Sequence, residues 1–119
     1  GEDFFTFSLD LIYSEVYKVI KNYLNNRKLL DLGCGTGEFI KRFVTLETPK
    51  EIHGYDFSEK GIERCKIIDE TKFTFKLETA RGIKTIMKEQ VTLKLPHKGK
   101  NLAIDGKLLI GRPYERLKR

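Results

Sequence analysis

The chain has 119 residues, of which 34% are charged, and it carries a formal net charge of +6. This length predicts a single small domain spanning residues 1–119. The two cysteines, Cys34 and Cys65, are too few for a disulfide scaffold and favour a reducing compartment. The sequence contains neither an apolar run long enough to span a bilayer nor a signal-peptide pattern, so we expect a cytoplasmic protein that does not contact a membrane.

Positive charge is concentrated towards the end of the sequence. Residues 1–71 contain 10 Lys/Arg and 13 Asp/Glu, whereas residues 72–119 contain 13 Lys/Arg and 4 Asp/Glu, a net charge of +9. Such a segment indicates either an acidic partner, of which nucleic acid is the first to consider, or a lysine-rich surface that is only solvated. The sequence leaves both interpretations open.

The first predicted element is an amphipathic helix. Apolar residues recur on one face from residue 9 to Leu24, and Ser8 or Asp10 is the expected N-cap. Two asparagines end this helix, and a strand is predicted to begin at about Lys28.

The stretch from Lys28 to Phe39 combines a short apolar run with three glycines at alternate positions, Gly33, Gly35 and Gly37. The run indicates a buried parallel strand, and glycine permits the positive φ angles of a tight turn. A second helix is predicted to follow as far as Leu46, so that unpaired N–H groups would face a bound ligand. The spacing G-x-G-x-G departs from the G-x-G-x-x-G of dinucleotide-binding folds, which disfavours a nucleotide- or dinucleotide-binding protein.

With the preceding acid, the seven residues from Asp31 to Gly37 (DLGCGTG) closely resemble the first motif of the class I, Rossmann-like, S-adenosylmethionine-dependent methyltransferases. A second strand, from Glu51 to Tyr55, leads to Asp56, and residues 54–58 (GYDFS) resemble the same family again. An acid about 20 residues after the glycines suits a carboxylate that accepts hydrogen bonds from two ribose hydroxyls. The resemblance covers roughly residues 28–80.

This resemblance implies an S-adenosylmethionine-dependent methyltransferase, with S-adenosylmethionine as its cofactor. The methyl acceptor stays unidentified, although the basic segment slightly favours nucleic acid. By resemblance, the first motif would hold the methionine end of the cofactor, and the residues after the second and third strands would hold the ribose and the adenine. The implied cofactor-binding residues are Asp31, Gly33, Cys34, Gly35, Gly37, Asp56, Phe57 and Glu78. No residue stands out as a catalytic base, and the scattered cysteines and histidines predict no metal site.

The regular order of strands and helices up to about residue 80 predicts an α/β fold, a Rossmann-like three-layer sandwich with parallel strands. Ser58 is the expected cap of a third helix that has Cys65 on its inner face, and residues 72–77 alternate as a third strand. Residues 79–90 are predicted to form a short helix and residues 91–95 a strand.

The final third departs from the methyltransferase pattern. The dipeptide Asp105-Gly106 between two apolar runs predicts a β-hairpin, although residues 106–113 could instead form a later strand of the sheet. The chain is short for the seven-stranded sheet of that family, which implies a truncated or remodelled final third. The alternative function is therefore a catalytically silent cofactor-binding module that is completed by a partner or by a homodimer.

Overall fold

The computed structural model describes residues 2–65, 73–89, 100–106 and 108–110. The strands are β1 (Lys28–Leu32), β2 (Glu51–Asp56), β3 (Phe73–Leu77), β4 (Asn101–Ile104) and β5 (Leu108–Ile110). The helices are α1 (Glu2–Ile20), α2 (Glu38–Arg42), α3 (Glu59–Cys65) and α4 (Ala80–Glu89). None of the helices in these ranges has the length and apolar character needed to cross a membrane. The strand predicted at residues 91–95 lies outside the described residues.

The strands form one mixed five-stranded sheet in the order β3-β2-β1-β4-β5. The predicted parallel arrangement of β1, β2 and β3 is confirmed, with Leu30 opposite His53 and Gly54 opposite Phe75. On the other side of β1, however, β4 runs antiparallel and places Ala103 opposite Leu30. The predicted α/β class is therefore confirmed, whereas the antiparallel β4 departs from the strand arrangement of a Rossmann-like sheet.

One face of the sheet packs against α1 and α2. The helical spacing of apolar residues predicted this contact, but α1 begins at Glu2, so the N-cap expected at Ser8 or Asp10 is wrong. The second helix is shorter than expected, since α2 ends at Arg42 and a separate 3₁₀ turn follows. The buried residues of this cluster are Val16, Ile20, Leu24, Leu29, Phe39, Ile40, Val44, Ile52, Leu102 and Ile104.

The opposite face of the sheet packs against α4. Ile83 is buried against Leu32 and Ala103, and the half-buried Ile86 lies beside them. Side chains alternate between the two faces along a strand, so Leu29 faces α1 while Leu32 faces α4. Burial on both faces explains why three of the five residues of β1 are leucines.

The predicted hairpin is confirmed, because β4 and β5 pair antiparallel on either side of Asp105-Gly106. Both turn residues have positive φ, 51° at Asp105 and 69° at Gly106. The Asp105 carboxylate accepts hydrogen bonds from the backbone N–H of Lys28 at 2.8 Å and from the guanidinium of Arg27 at 3.2 Å. The pKa of Asp105 lies below its ordinary value, mainly because of the hydrogen bond from the Lys28 N–H and to a smaller extent because of the Arg27 side chain. Asp105 thus joins the hairpin turn to the start of β1.

We expect Asp105→Asn to destabilise the protein at about pH 7 and to do so by less at about pH 3, which lies below the unfolded pKa of an aspartate. Asparagine tolerates the left-handed conformation but lacks the charge that the Lys28 N–H and Arg27 stabilise. A carboxyl whose pKa is lowered by folding contributes stability above its unfolded pKa of about 3.9 and loses it as the pH falls through the folded value. Urea unfolding of both proteins at the two pH values measures the difference, and an equal difference at both would contradict the prediction.

Candidate functional site

The turn between β1 and α2 holds its three glycines in the left-handed region, with φ of 79° at Gly33, 57° at Gly35 and 81° at Gly37. Residues with a Cβ rarely adopt this conformation, so the alternate glycines are required by the path of the backbone. We refer to residues 33–37 as the glycine turn.

Four of the five N–H groups of the glycine turn, those of Gly33, Cys34, Gly35 and Gly37, donate hydrogen bonds within the protein. Those of Gly33 and Cys34 donate to the carbonyl oxygen of Tyr55 at 2.7 and 3.1 Å. The N–H of Gly35 donates to Oδ2 of Asp56 at 2.7 Å. The sequence placed Gly35 and Asp56 at opposite ends of one cofactor, but here they contact each other directly.

Asp56 also connects the glycine turn to α3. Its Oδ1 accepts a hydrogen bond from the N–H of Ser58 at 2.8 Å, and the Ser58 hydroxyl accepts one from the N–H of Gly61 at 3.1 Å, which confirms the predicted cap. A Cβ at Gly61 would lie only 2.9 Å from the carbonyl oxygen of Gly35. The first turn of α3 therefore packs directly on the glycine turn.

A buried ion pair between Asp31 and Lys100 lies beside this turn. The Nζ of Lys100 is 3.0 Å from Oδ1 of Asp31 and donates a hydrogen bond to the carbonyl oxygen of Gly33 at 2.8 Å. It also lies 5.7 Å from the centroid of the Tyr13 ring. Asp31 is 0% exposed and Lys100 is 6% exposed, so both charges are removed from water.

Each charge of this pair stabilises the charged form of the other residue. Burial raises the pKa of Asp31, and the Lys100 ammonium opposes that shift. Burial by itself would lower the pKa of Lys100, but the Asp31 carboxylate outweighs it and the pKa is raised. Among the described residues, no group donates a hydrogen bond to Oδ2 of Asp31. The positive charge that compensates the Asp31 carboxylate is that of Lys100, which lies beside Oδ1.

The remaining two predicted site residues, Phe57 and Glu78, adjoin Asp56 through the backbone: Phe57 follows it in the chain, and the N–H of Glu78 donates a hydrogen bond to the carbonyl oxygen of Asp56 at 2.7 Å. The Phe57 side chain is 66% exposed. The carboxylate of Glu78 accepts a hydrogen bond from the N–H of Thr79 at 2.9 Å and lies 3.6 Å from the ammonium of Lys76. The Thr79 N–H and Lys76 lower the pKa of Glu78. The hydrogen bonds and the ion pair described above involve six of the eight predicted residues, namely Asp31, Gly33, Cys34, Gly35, Gly37 and Asp56, and Glu78 joins them through its backbone N–H.

Sequence reasoning missed two contributors to the cluster. Lys100 belongs to a lysine-rich segment, and nothing in its neighbourhood distinguishes it from a solvated lysine. The Sγ of Cys65 lies 3.9 Å from that of Cys34 and donates a hydrogen bond to the carbonyl oxygen of Gly35 at 3.1 Å. Helical spacing predicted that Cys65 faces inward, but it could not identify the partner.

A basic surface on α4 was also missed. Arg81 and Lys84 are exposed and lie one helical turn apart, on the side of α4 opposite Ile83 and Ile86. Within the described part of the chain, neither forms an ion pair. We refer to Arg81 and Lys84 as the α4 basic face; Lys88 continues the same spacing in the sequence.

We expect the single replacements Asp31→Leu and Lys100→Met each to destabilise the protein by about 3–5 kcal/mol, because each leaves a buried charge without its partner. The double replacement should cost much less than the sum of the two, because it removes both charges together. Urea unfolding of the four proteins gives the coupling energy. Additive costs would show that the ion pair does not link the two residues energetically.

The sequence was compared with known protein families. A sequence model described as ribonuclease P/MRP, subunit p29, matches residues 55–119, which is more than half of the chain. The matched segment includes Asp56, Cys65, α4, Lys100 and the hairpin, and it excludes the glycine turn. No solved structure matches the chain.

Curated relatives agree with the family model. The chain is 40% identical over 62 residues to Ribonuclease P protein component 1 of Archaeoglobus fulgidus, which covers 52% of this chain and 60% of that protein's length. It is 38% identical over 80 residues to the component of Methanococcus maripaludis, covering 64% of this chain and 79% of the relative. It is 52% identical over an alignment of 89 residues to that of Thermofilum pendens, covering 60% of this chain and 92% of the relative.

These comparisons overturn the predicted identity. The predictions of a methyltransferase family, of methyl transfer, of S-adenosylmethionine as cofactor and of a silent cofactor-binding module are wrong, since the matches are to ribonuclease P components. The resemblance was misleading because it rested on short motifs. A strand that turns sharply into a helix needs glycine for its backbone conformation, whether or not the turn binds a cofactor. The eight residues assigned to that cofactor have no identified ligand. The chain belongs to the ribonuclease P/MRP subunit p29 family.

Proposed function

We propose that this chain is an RNA-binding protein component of a ribonuclease P. The match of residues 55–119 to the p29 family carries the proposal. That segment contains 16 Lys/Arg and 9 Asp/Glu, a net charge of +7, whereas residues 1–54 contain 7 Lys/Arg and 8 Asp/Glu, a net charge of −1. Positive charge therefore coincides with the family-matched segment, as expected for a protein that binds RNA phosphates.

The α4 basic face is the surface that we assign to RNA. Its two exposed cations lie about 4.5 Å apart along the helix axis, because an α-helix rises about 1.5 Å per residue. Arg81 can donate two parallel hydrogen bonds to one phosphate, while Lys84 acts as a point charge on the next. Ile83 is buried beneath them, so the helix that carries the two cations is held against the sheet.

These contacts would recognise the RNA backbone and not its sequence. Hydrogen bonds to phosphate position a protein on nucleic acid but carry no direct information about the bases. Each neutralised phosphate releases condensed cations, so the affinity should fall steeply as salt is added. The α4 basic face thus predicts salt-sensitive binding with little dependence on base sequence.

The assembly role can be tested by substitution into a related enzyme. The Thermofilum pendens component 1 is replaced by this chain in a ribonuclease P assembled from that organism's other components. We expect RNA cleavage above the level found when component 1 is left out. Cleavage no higher than in that omission control would contradict the proposed function.

The RNA-binding surface is tested with matched charge removals. We expect Arg81→Gln/Lys84→Gln to weaken binding to a fluorescent RNA hairpin at all sequences tried. The slope of log affinity against log salt should fall by about 1.4–1.8, since each phosphate contact contributes about 0.7–0.9. Fluorescence anisotropy over a salt series measures both quantities.

The control removes the same charge from elsewhere on the surface. Lys21 and Lys50 are exposed and lie outside the family-matched segment, so Lys21→Gln/Lys50→Gln changes the net charge equally. A control that weakens binding as much as the α4 variant would show that net charge alone matters. Unchanged binding in the α4 variant would assign RNA to another surface.

We also propose that residues 1–119 form one domain with a Rossmann-like three-layer arrangement of β1, β2 and β3 and their helices. Pairing of β1 with β4 and the ion pair between Asp31 and Lys100 support this proposal, because both join residues 1–54 to the family-matched segment. The glycine turn and Asp56 would then serve as a structural connection between the two parts.

A single domain predicts one cooperative unfolding transition. Far-UV circular dichroism and tyrosine fluorescence should therefore give the same urea midpoint; the chain has five tyrosines and no tryptophan. Two separated transitions would indicate that the two parts unfold independently.

A further inference from the structure

We propose that Cys34 and Cys65 form a dithiol site that a peroxide converts into a reversible intramolecular disulfide. Neither residue has a part in the proposed RNA-binding surface, so this inference does not depend on the proposed function. It rests on the position of the two sulfur atoms in the folded chain.

The two sulfur atoms are already in contact. Their separation of 3.9 Å must shorten to about 2.05 Å to form a disulfide bond. Cys34 lies in the glycine turn between Gly33 and Gly35, so neither neighbour in the chain has a side chain that opposes a rotation of the Cys34 side chain. The carbonyl oxygen of Gly35 accepts the Cys65 S–H at 3.1 Å, and this hydrogen bond holds Cys65 beside its partner.

No other pairing competes within one chain, because the sequence contains two cysteines. Cys34 is 3% exposed and Cys65 is 0% exposed, so a second chain cannot reach either sulfur without unfolding. Burial also raises the pKa of both thiols, which keeps them protonated and slow to react. A small oxidant such as hydrogen peroxide therefore suits the site better than a bulky disulfide.

The reaction balances with one peroxide. One of the two thiols loses its proton, and its sulfur attacks one peroxide oxygen; the O–O bond breaks, and water leaves after protonation. The resulting sulfenic acid is attacked by the sulfur of the other cysteine, the S–O bond breaks, and a second water leaves. Two thiols are oxidised to one disulfide while hydrogen peroxide is reduced to two waters, and an added dithiol reverses the change.

The new bond would cross-link two different parts of the chain. Cys34 lies outside the family-matched segment and Cys65 lies inside it, and 31 positions separate them. A cross-link over this interval restricts the unfolded chain and should raise the thermal midpoint. The oxidised protein is thus expected to hold the glycine turn and α3 together more firmly than the reduced one.

The experiment treats the full chain with hydrogen peroxide, removes the peroxide, unfolds the protein in urea with N-ethylmaleimide so that every free thiol is blocked, and measures the intact mass. We expect a loss of about 2 Da with no maleimide adduct, a linked pair of peptides containing Cys34 and Cys65, and recovery of both thiols with dithiothreitol. The thermal midpoint should rise on oxidation and return on reduction. Sulfinic acid on one cysteine with maleimide on the other, or disulfide-linked dimers, would overturn the proposal.

Two variants supply the control. Cys34→Ser and Cys65→Ser should each show oxygen addition to the remaining cysteine under peroxide and no rise in thermal midpoint. Circular dichroism verifies that each variant is folded. If a variant is not folded, the peptide map of the peroxide-treated protein without substitutions tests the proposal instead. A rise in midpoint in either variant would show that the stabilisation does not come from the disulfide.

Discussion

The ion pair between Lys100 and Asp31 is the interaction on which the rest of the structure depends. Desolvating one charge inside a protein is expensive, and an opposite charge at 3.0 Å makes it tolerable. The ammonium reaches β1, the carbonyl oxygen of Gly33 and the face of Tyr13 from one point just before β4. Because this lysine comes from the family-matched segment and its contacts come from residues 1–54, the two parts share one interior.

The glycine motif predicted the backbone conformation of the glycine turn correctly, but the cofactor that it predicted is wrong. Its left-handed glycines and its position between a strand and a helix agree with the sequence pattern. Its N–H groups, however, donate to Tyr55 and to the carboxylate of Asp56. An N–H group that already donates to a carboxylate is not free to donate to an anionic ligand. These hydrogen bonds connect the glycine turn to the end of β2.

The sequence predicted those features that depend on local patterns. The leucines of β1 mark a buried strand, Ser58 caps α3, and Asp105-Gly106 makes a hairpin, and each of these is governed by neighbouring residues. The antiparallel pairing of β4 with β1 and the burial of Lys100 depend on residues about 70 positions apart, for which periodicity carries no signal. The family identity was hidden for a related reason: the matched segment has a weak local pattern, while the glycine motif outside it is conspicuous.

β3 lies at one edge of the sheet in the described part of the chain, so its outer backbone groups have no neighbouring strand there. Lys76 lies within this strand, more than half exposed, with its ammonium 5.3 Å from the centroid of the Tyr55 ring. Charged side chains, lysine above all, are a common means by which edge strands disfavour pairing with a second chain. Lys76 gives β3 a charge of this kind at the open edge of the sheet.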